Sequence, residues 1–183
     1  MRPSLHREPH GALAIARHYI RDVVYGANDG IITTFAVVAG VTGGALPARA
    51  VLIVGVANLF ADGLSMGVGN YLSIRSNESA RAAQDLPEEE SRPARHGIAT
   101  FLAFCAAGSL PLLPYAIPAF GSAQFVLSIT LTFAALFCVG SSRALVTVDR
   151  WWSAGLEMLG LGALVALAAF GSGAFIGRLV PGL

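Results

Sequence analysis

The sequence predicts an all-α membrane protein of five transmembrane helices, with its N-terminus inside and its C-terminus outside. Three observations carry this prediction. The 183 residues are 55% hydrophobic and only 13% charged, with a mean hydropathy of +0.65, whereas soluble domains carry about a quarter charged residues. A chain so poor in charge cannot cover a water-facing surface. Apolar runs then recur at close to the ~20 residues that a bilayer-spanning helix needs. Finally, the arginines fall on one side of those runs.

Residues 1–22 are read as a cytoplasmic N-terminal segment. Within and just beyond it, Leu13–Tyr25 can form an amphipathic helix that turns Arg17 and Arg21 toward headgroups. The first span is short as a pure apolar run, Ile31–Leu46, and reaches adequate length over 23–46 only by placing Asp29 inside the membrane. The other spans are expected at 50–74, 97–118, 123–140 and 153–176, completing a transmembrane domain over 23–183. GVTGG (Gly40–Gly44) reads as the end of span 1 and a turn. The sizeable loop, 75–96, is acidic in its middle (Asp85, Glu88, Glu89, Glu90) and basic at its ends, and Pro87 and Pro93 break any long helix there.

All twelve basic residues are arginine. Arg2, Arg7, Arg17, Arg21, Arg75, Arg81, Arg92, Arg95, Arg143 and Arg150 fall on one side, against Arg49 and Arg178 on the other. Because cytoplasmic loops carry the positive excess, this sets the expected orientation. A net charge of +1 gives no basic patch for nucleic acid. Cys105 and Cys138 lie in apolar runs and read as small hydrophobes, not as a disulfide framework. The N-terminal stretch lacks an h-region followed by a small-residue cleavage site, so no cleaved signal peptide is expected.

Ionisable residues inside a span cost roughly 2.5–3.5 kcal/mol or more at the helix centre and are functional candidates by default. Asp29, Asp62 and Glu157 stand out, with Asp22 at the entrance of span 1. Asp22 and Asp29 are two turns apart on nearly one helix face, and Gly26, Thr33 and Gly40 fall close to the same stripe. Such small residues let another helix approach closely. In span 2, Asn58, Asp62 and Met66 recur at i, i+4 and i+8, offering an amide oxygen, a carboxylate and a thioether on one face.

Carboxylate and amide oxygens suit hard or borderline divalent cations, while a thioether disfavours Mg²⁺ and Ca²⁺, so the mixed set suggests Fe²⁺ or Mn²⁺. His6, His10, His18 and His96 are all read as lying outside the spans, which weakens a zinc-specific reading. Each candidate has a plainer alternative. Met66 can be packing, and Asp62 can bond backbone or Ser65. Asp29, in NDG, can cap a helix that starts at Gly30. Glu157, in the first turn of span 5, can answer the helix dipole. Glu88–Glu90 read as a solvated charge run. No nucleophile–base pair or phosphate loop appears, so an enzyme is not expected.

The stretch YIRDVVYGANDGIITTFAVVAGVTGG, followed by NLFADGLSMGVGNYLSIRS, resembles the vacuolar iron transporter (VIT) family, and SAGLEMLGLGALVALAAFGSG resembles its last helix. The resemblance runs over nearly the whole chain from Arg21. It implies a five-helix homodimer that exports Fe²⁺, often also Mn²⁺, from the cytosol in exchange for protons, along a pathway near the dimer axis. It further implies Asp22 as entrance acid, Asp29 as mid-membrane acid and Met66 as thioether ligand. Asn58 stands where many members carry Glu, and Asp62 lies one turn later. The short loop holds Glu78, Asp85 and Glu88–Glu90 but no Met, in place of the family's fuller cytoplasmic metal-binding domain. In this it is similar to the shorter nodulin-like branch.

The reading that follows is a multi-pass transporter of the cell (inner) membrane whose substrate is Fe²⁺ or Mn²⁺ and which needs no cofactor. Its partners are the metal ion, membrane lipid and a second copy of the chain. Asp22, Asp29, Asp62, Met66 and Asn58 are the candidate metal ligands. Asp29, Asp62 and Glu157 are the candidates for proton coupling, since a carboxylate in a low-dielectric medium accepts a proton more readily. The competing reading is a non-transporting membrane anchor or assembly module whose buried acids are structural. A passive cation channel is a third.

Overall fold

The computed structural model describes residues 4–5, 10–145 and 150–180. Arg2, His6 and Arg7 lie outside the described residues. Six helices follow in order: α1 (Ala12–Gly43), α2 (Ala48–Ala83), α3 (Pro93–Gly108), the short α4 (Leu113–Ala116), α5 (Gln124–Ser142) and α6 (Trp151–Leu179). Among the described residues there is no strand, and a single β-bridge pairs Ser4 with Glu88. Among the described residues, five segments are long and apolar enough to cross a membrane: Leu13–Gly43, Ala48–Ala83, Pro93–Ala116, Pro118–Leu145 and Trp151–Leu179. The predicted all-α, five-span architecture is therefore what the chain adopts.

The helix bounds refine the sequence reading. The expected interfacial helix over Leu13–Tyr25 is not separate, because it forms the first turns of α1, which runs unbroken to Gly43. The predicted loop is likewise largely helical, since α2 continues past Ser76 to Ala83. At 1.5 Å per residue, the 32 residues of α1 and 36 of α2 extend ~48 Å and ~54 Å. Both exceed a ~30 Å hydrocarbon core, so the two helices project beyond it. The true α2–α3 connection is short, and Pro93 closes it as the first residue of α3, where its missing N–H is harmless. Between α4 and α5, Gly121 turns the chain with φ of 45°, in the region glycine favours.

Helix α1 is the centre of the bundle, packing against α2, α3, α5 and α6. One buried cluster joins Phe35 and Val38 of α1 to Val51, Leu112 and Tyr115. A second joins Ile31 to Leu136 and Met158. In lipid, helices gain little from hiding apolar surface, so close backbone contact between small residues holds them together. Gly67 and Gly97 show this at the α2–α3 crossing. A Cβ on Gly97 would sit 2.5 Å from the Gly67 carbonyl oxygen, and one on Gly67 would sit 2.8 Å from that of Gly97. Apolar side chains such as Phe60, Leu64, Leu164 and Leu167 point outward, as a lipid-facing surface requires.

Candidate functional site

The NDG sequence does not start a helix. Helix α1 passes straight through Asn28, Asp29 and Gly30, which removes the capping role for Asp29. Gly30 instead lets α3 approach, because a side chain there would strike the Phe104 backbone. Gly26 does the same against the Thr100 carbonyl, and Gly40 lies beside α6. The small-residue stripe of α1 is thus used within the chain and is not left open as a seam. An exposed small stripe does exist on α2, at Ala57, Ala61, Ser65 and Gly69.

One hydrogen bond and one through-space charge interaction relate α1 to the antiparallel α2. Asn70 Nδ2 donates to Asp22 Oδ1 at 2.8 Å. Further along, the Asp62 carboxylate acts electrostatically on Asp29. Seven residues up α1 and eight down α2 are nearly the same rise, ~11–12 Å, so the two interactions are compatible with one straight pairing. On that register Met66 lies level with Gly26, between the two aspartates of α1, and Asn58 lies level with Thr33. Asn58, Asp62, Met66 and Asn70 form one i+4 stripe, and Asp29, Asp62, Met66 and Asn58 are all half-buried. The Asn58 Nδ2 is buried without a hydrogen-bond partner. Two neighbouring carboxylates on facing helices form a locus that a cation or a proton would stabilise. Thr33 Oγ1 donates to the Asp29 carbonyl at 2.8 Å, a local bond within α1.

Asp22 differs. It is 3% exposed, so it is no open entrance. Its Oδ2 lies 2.5 Å from His96 Nδ1 and its Oδ1 accepts from Asn70. Asn70 Nδ2 also donates to Thr100 Oγ1 at 2.8 Å, and Thr100 Oγ1 donates to the His96 carbonyl at 3.0 Å. His96 is buried at the start of α3, and its Nε2 lies 3.0 Å from Glu90 Oε2. His18 Nε2 lies 3.3 Å from the same oxygen. Of the four histidines read as lying outside the spans, His18 and His96 therefore converge on Glu90, and His96 also on Asp22. Glu90 is no member of a solvated run, since its side chain is 14% exposed and lies against both imidazoles.

Glu157 sits in the second turn of α6, which has no acidic residue in its first turn. It is exposed and pairs with Arg143 at 3.3 Å, so the dipole reading falls away. Asn70, Thr100, His96, His18 and Glu90 were not among the sequence candidates. Only Asn70 carried a sequence signal, as the next i+4 step after Met66. The others come from separate segments that only folding brings together.

This arrangement can be set beside related proteins. The sequence profile of the VIT family matches residues 20–89 and 80–174. The chain is 31% identical to "Vacuolar iron transporter homolog 5" of Oryza sativa subsp. japonica, over 91% of this chain and 70% of that protein. It is 27% identical to "Vacuolar iron transporter 2" of the same plant, over 85% and 87% of the two chains. A "Vacuolar iron transporter" of Toxoplasma gondii matches at 26%, over 97% and 80%. The profile covers most of the chain, and the polar stripes described above lie within the matched residues: this multi-pass membrane protein belongs to the VIT family.

Proposed function

We propose that the chain transports Fe²⁺, with Mn²⁺ as a second substrate, out of the cytosol across the cell (inner) membrane. The observation that carries this reading is the electrostatic proximity of the Asp29 and Asp62 carboxylates across α1 and α2, with Asn58 and Met66 on the same face of α2 as Asp62. The relatives' names, as iron transporters, support the substrate. Asp29, Asp62, the Asn58 carbonyl oxygen and the Met66 sulfur supply a mixed hard and soft donor set suited to a first-row divalent cation. A partly dehydrated ion binds between the carboxylates, and a proton takes its place when it leaves. That exchange is the basis of antiport. The excess of arginine at the end bearing Arg75, Arg81, Arg92 and Arg95 favours that end as cytosolic.

The working unit in this reading is a homodimer. Ala57, Ala61, Ser65 and Gly69 are exposed on α2, and each lies one residue from the Asn58–Asp62–Met66–Asn70 stripe or from its next turn. Close approach of two copies along this small-residue stripe would bring both ligand faces to one axis. Glu157, exposed and paired with Arg143, stays outside the pathway.

A second reading, a non-transporting membrane module, draws on Asp22, whose bonds to Asn70 and His96 are those of a structural acid. Uptake of Fe²⁺ and Mn²⁺ into proteoliposomes, with and without a pH gradient, separates the two. Gradient-dependent flux that disappears in Asp29→Asn supports antiport through the α1–α2 pair. Flux that ignores the gradient indicates a passive channel. A folded wild type without flux sinks the transport reading.

A further inference from the structure

We infer that His18, Glu90 and His96 form a second divalent-metal site, separate from the Asp29–Asp62 locus, that takes a borderline first-row cation such as Zn²⁺, Co²⁺ or Fe²⁺. One ligand atom from each of the three residues lies within 4.8 Å of the other two. Glu90 Oε2 is 3.0 Å from His96 Nε2 and 3.3 Å from His18 Nε2. Ligands at ~2.0–2.1 Å from a tetrahedral ion are ~3.3 Å apart, so the two nitrogen–oxygen edges already have the required length. Two imidazoles and one carboxylate exclude Mg²⁺ and Ca²⁺, which prefer all-oxygen shells.

The environment of His96 strengthens the assignment. Asp22 Oδ2 lies 2.5 Å from Nδ1, so with a metal bound Nδ1 would keep its proton toward Asp22 and Nε2, which faces Glu90, would be the ligand atom. A carboxylate that orients the far nitrogen of an imidazole in this way is the usual support for a metal-binding histidine. Asn70 in turn fixes Asp22, and the Glu78 carboxylate accepts the backbone N–H groups of Glu89 and Glu90 at 3.1 and 3.0 Å. Glu90 is thereby held in place from behind. A polar cavity of about 380 Å³ adjoins the cluster, lined by Arg21, Asn77, Glu78, Glu89, Glu90 and His96. It gives access from the end of the bundle and room for water to complete the shell. Three carboxylates face it against the one guanidinium of Arg21. Because the ligands come from α1, the α2–α3 connection and α3, a bound ion ties these three segments together. The alternative is an imidazolium ion-pair cluster that binds no metal.

The test is Co²⁺ titration of the purified full-length protein in detergent, read by visible ligand-field absorption and by equilibrium dialysis. The wild type should show a tetrahedral-type Co²⁺ spectrum that Zn²⁺ abolishes and excess Mg²⁺ leaves unchanged. Glu90→Gln and His18→Gln should each weaken Co²⁺ binding by at least ~10-fold. Asp22→Asn, which loosens His96 without removing a ligand, should weaken it by ~10–100-fold. The double variant Asp29→Asn/Met66→Leu should keep the spectrum, which separates this site from the transport reading. His18 is the safer variant for folding, since its side chain is 25% exposed. No Co²⁺ spectrum in folded wild type, or one that survives both Glu90→Gln and His18→Gln, overturns the inference. So does loss of the spectrum in the Asp29→Asn/Met66→Leu variant.

Discussion

Two aspartates seven residues apart on α1 have opposite surroundings. Asp22 is buried in a completed network, with Asn70 on one oxygen and His96 on the other. Asp29 is half-buried, and the charged group acting on it is the like charge of Asp62. A buried charge that is paired and hydrogen-bonded holds structure together, whereas one facing a like charge is left needing a cation. The same residue type on the same helix face is thus divided between two tasks by what α2 and α3 set against it.

The comparison can be broken by substitution. The largest effect is expected from Asp29→Asn in proteoliposome flux. Removing a charged ligand worth ~1.5–3 kcal/mol should lower Fe²⁺ transport by ~10-fold or more, while the thermal unfolding midpoint stays at or above that of wild type. A fall in that midpoint with flux retained would make Asp29 structural. Next comes Gly97→Leu, which forces α2 and α3 apart where the backbones touch. Overpacking of this kind costs at least ~1–3 kcal/mol. A loss of monodisperse protein in size-exclusion chromatography is expected, and normal behaviour would argue against the α2–α3 crossing.

Asp22→Ala leaves the Asn70 amide and the His96 ring without their shared acceptor. Its expected cost is ~1–3 kcal/mol of stability, read as a lowered thermal midpoint in detergent. An unchanged midpoint would remove the contrast with Asp29. The smallest effect belongs to Arg143→Gln, whose exposed partner Glu157 contributes ~0–1 kcal/mol at most. Stability and the pH dependence of flux should both be unaltered. A changed pH dependence would bring Glu157 into proton coupling.

How much of this was legible beforehand differs between the two aspartates. Asp29, Asp62, Met66 and Asn58 stand out in the sequence because a membrane span makes any polar residue conspicuous, and the i+4 spacing assigns the last three to one face. That the last three share a face follows from helix geometry, whereas the placing of Asp29 opposite them does not. The Asp22 network was not legible. His96 and Glu90 sit beside a polar connection, where charged residues are ordinary, and His18 precedes the first apolar run. Nothing in their local sequence separates a solvated side chain from one folded back onto α1.

The sequence by itself determined the five spans, because hydropathy and length are properties of each segment alone, and in lipid a ~20-residue apolar segment satisfies its own backbone groups as a helix. It also determined which faces of α1 and α2 are polar, since helical periodicity is local. Tertiary structure alone decided the register that sets Asp29 against Asp62 and the use of Gly26 and Gly30 for α3. It also decided the convergence of His18, Glu90 and His96 from three segments. Those outcomes depend on how closely backbones approach and at what height helices cross, and both are set by packing between segments distant in the chain.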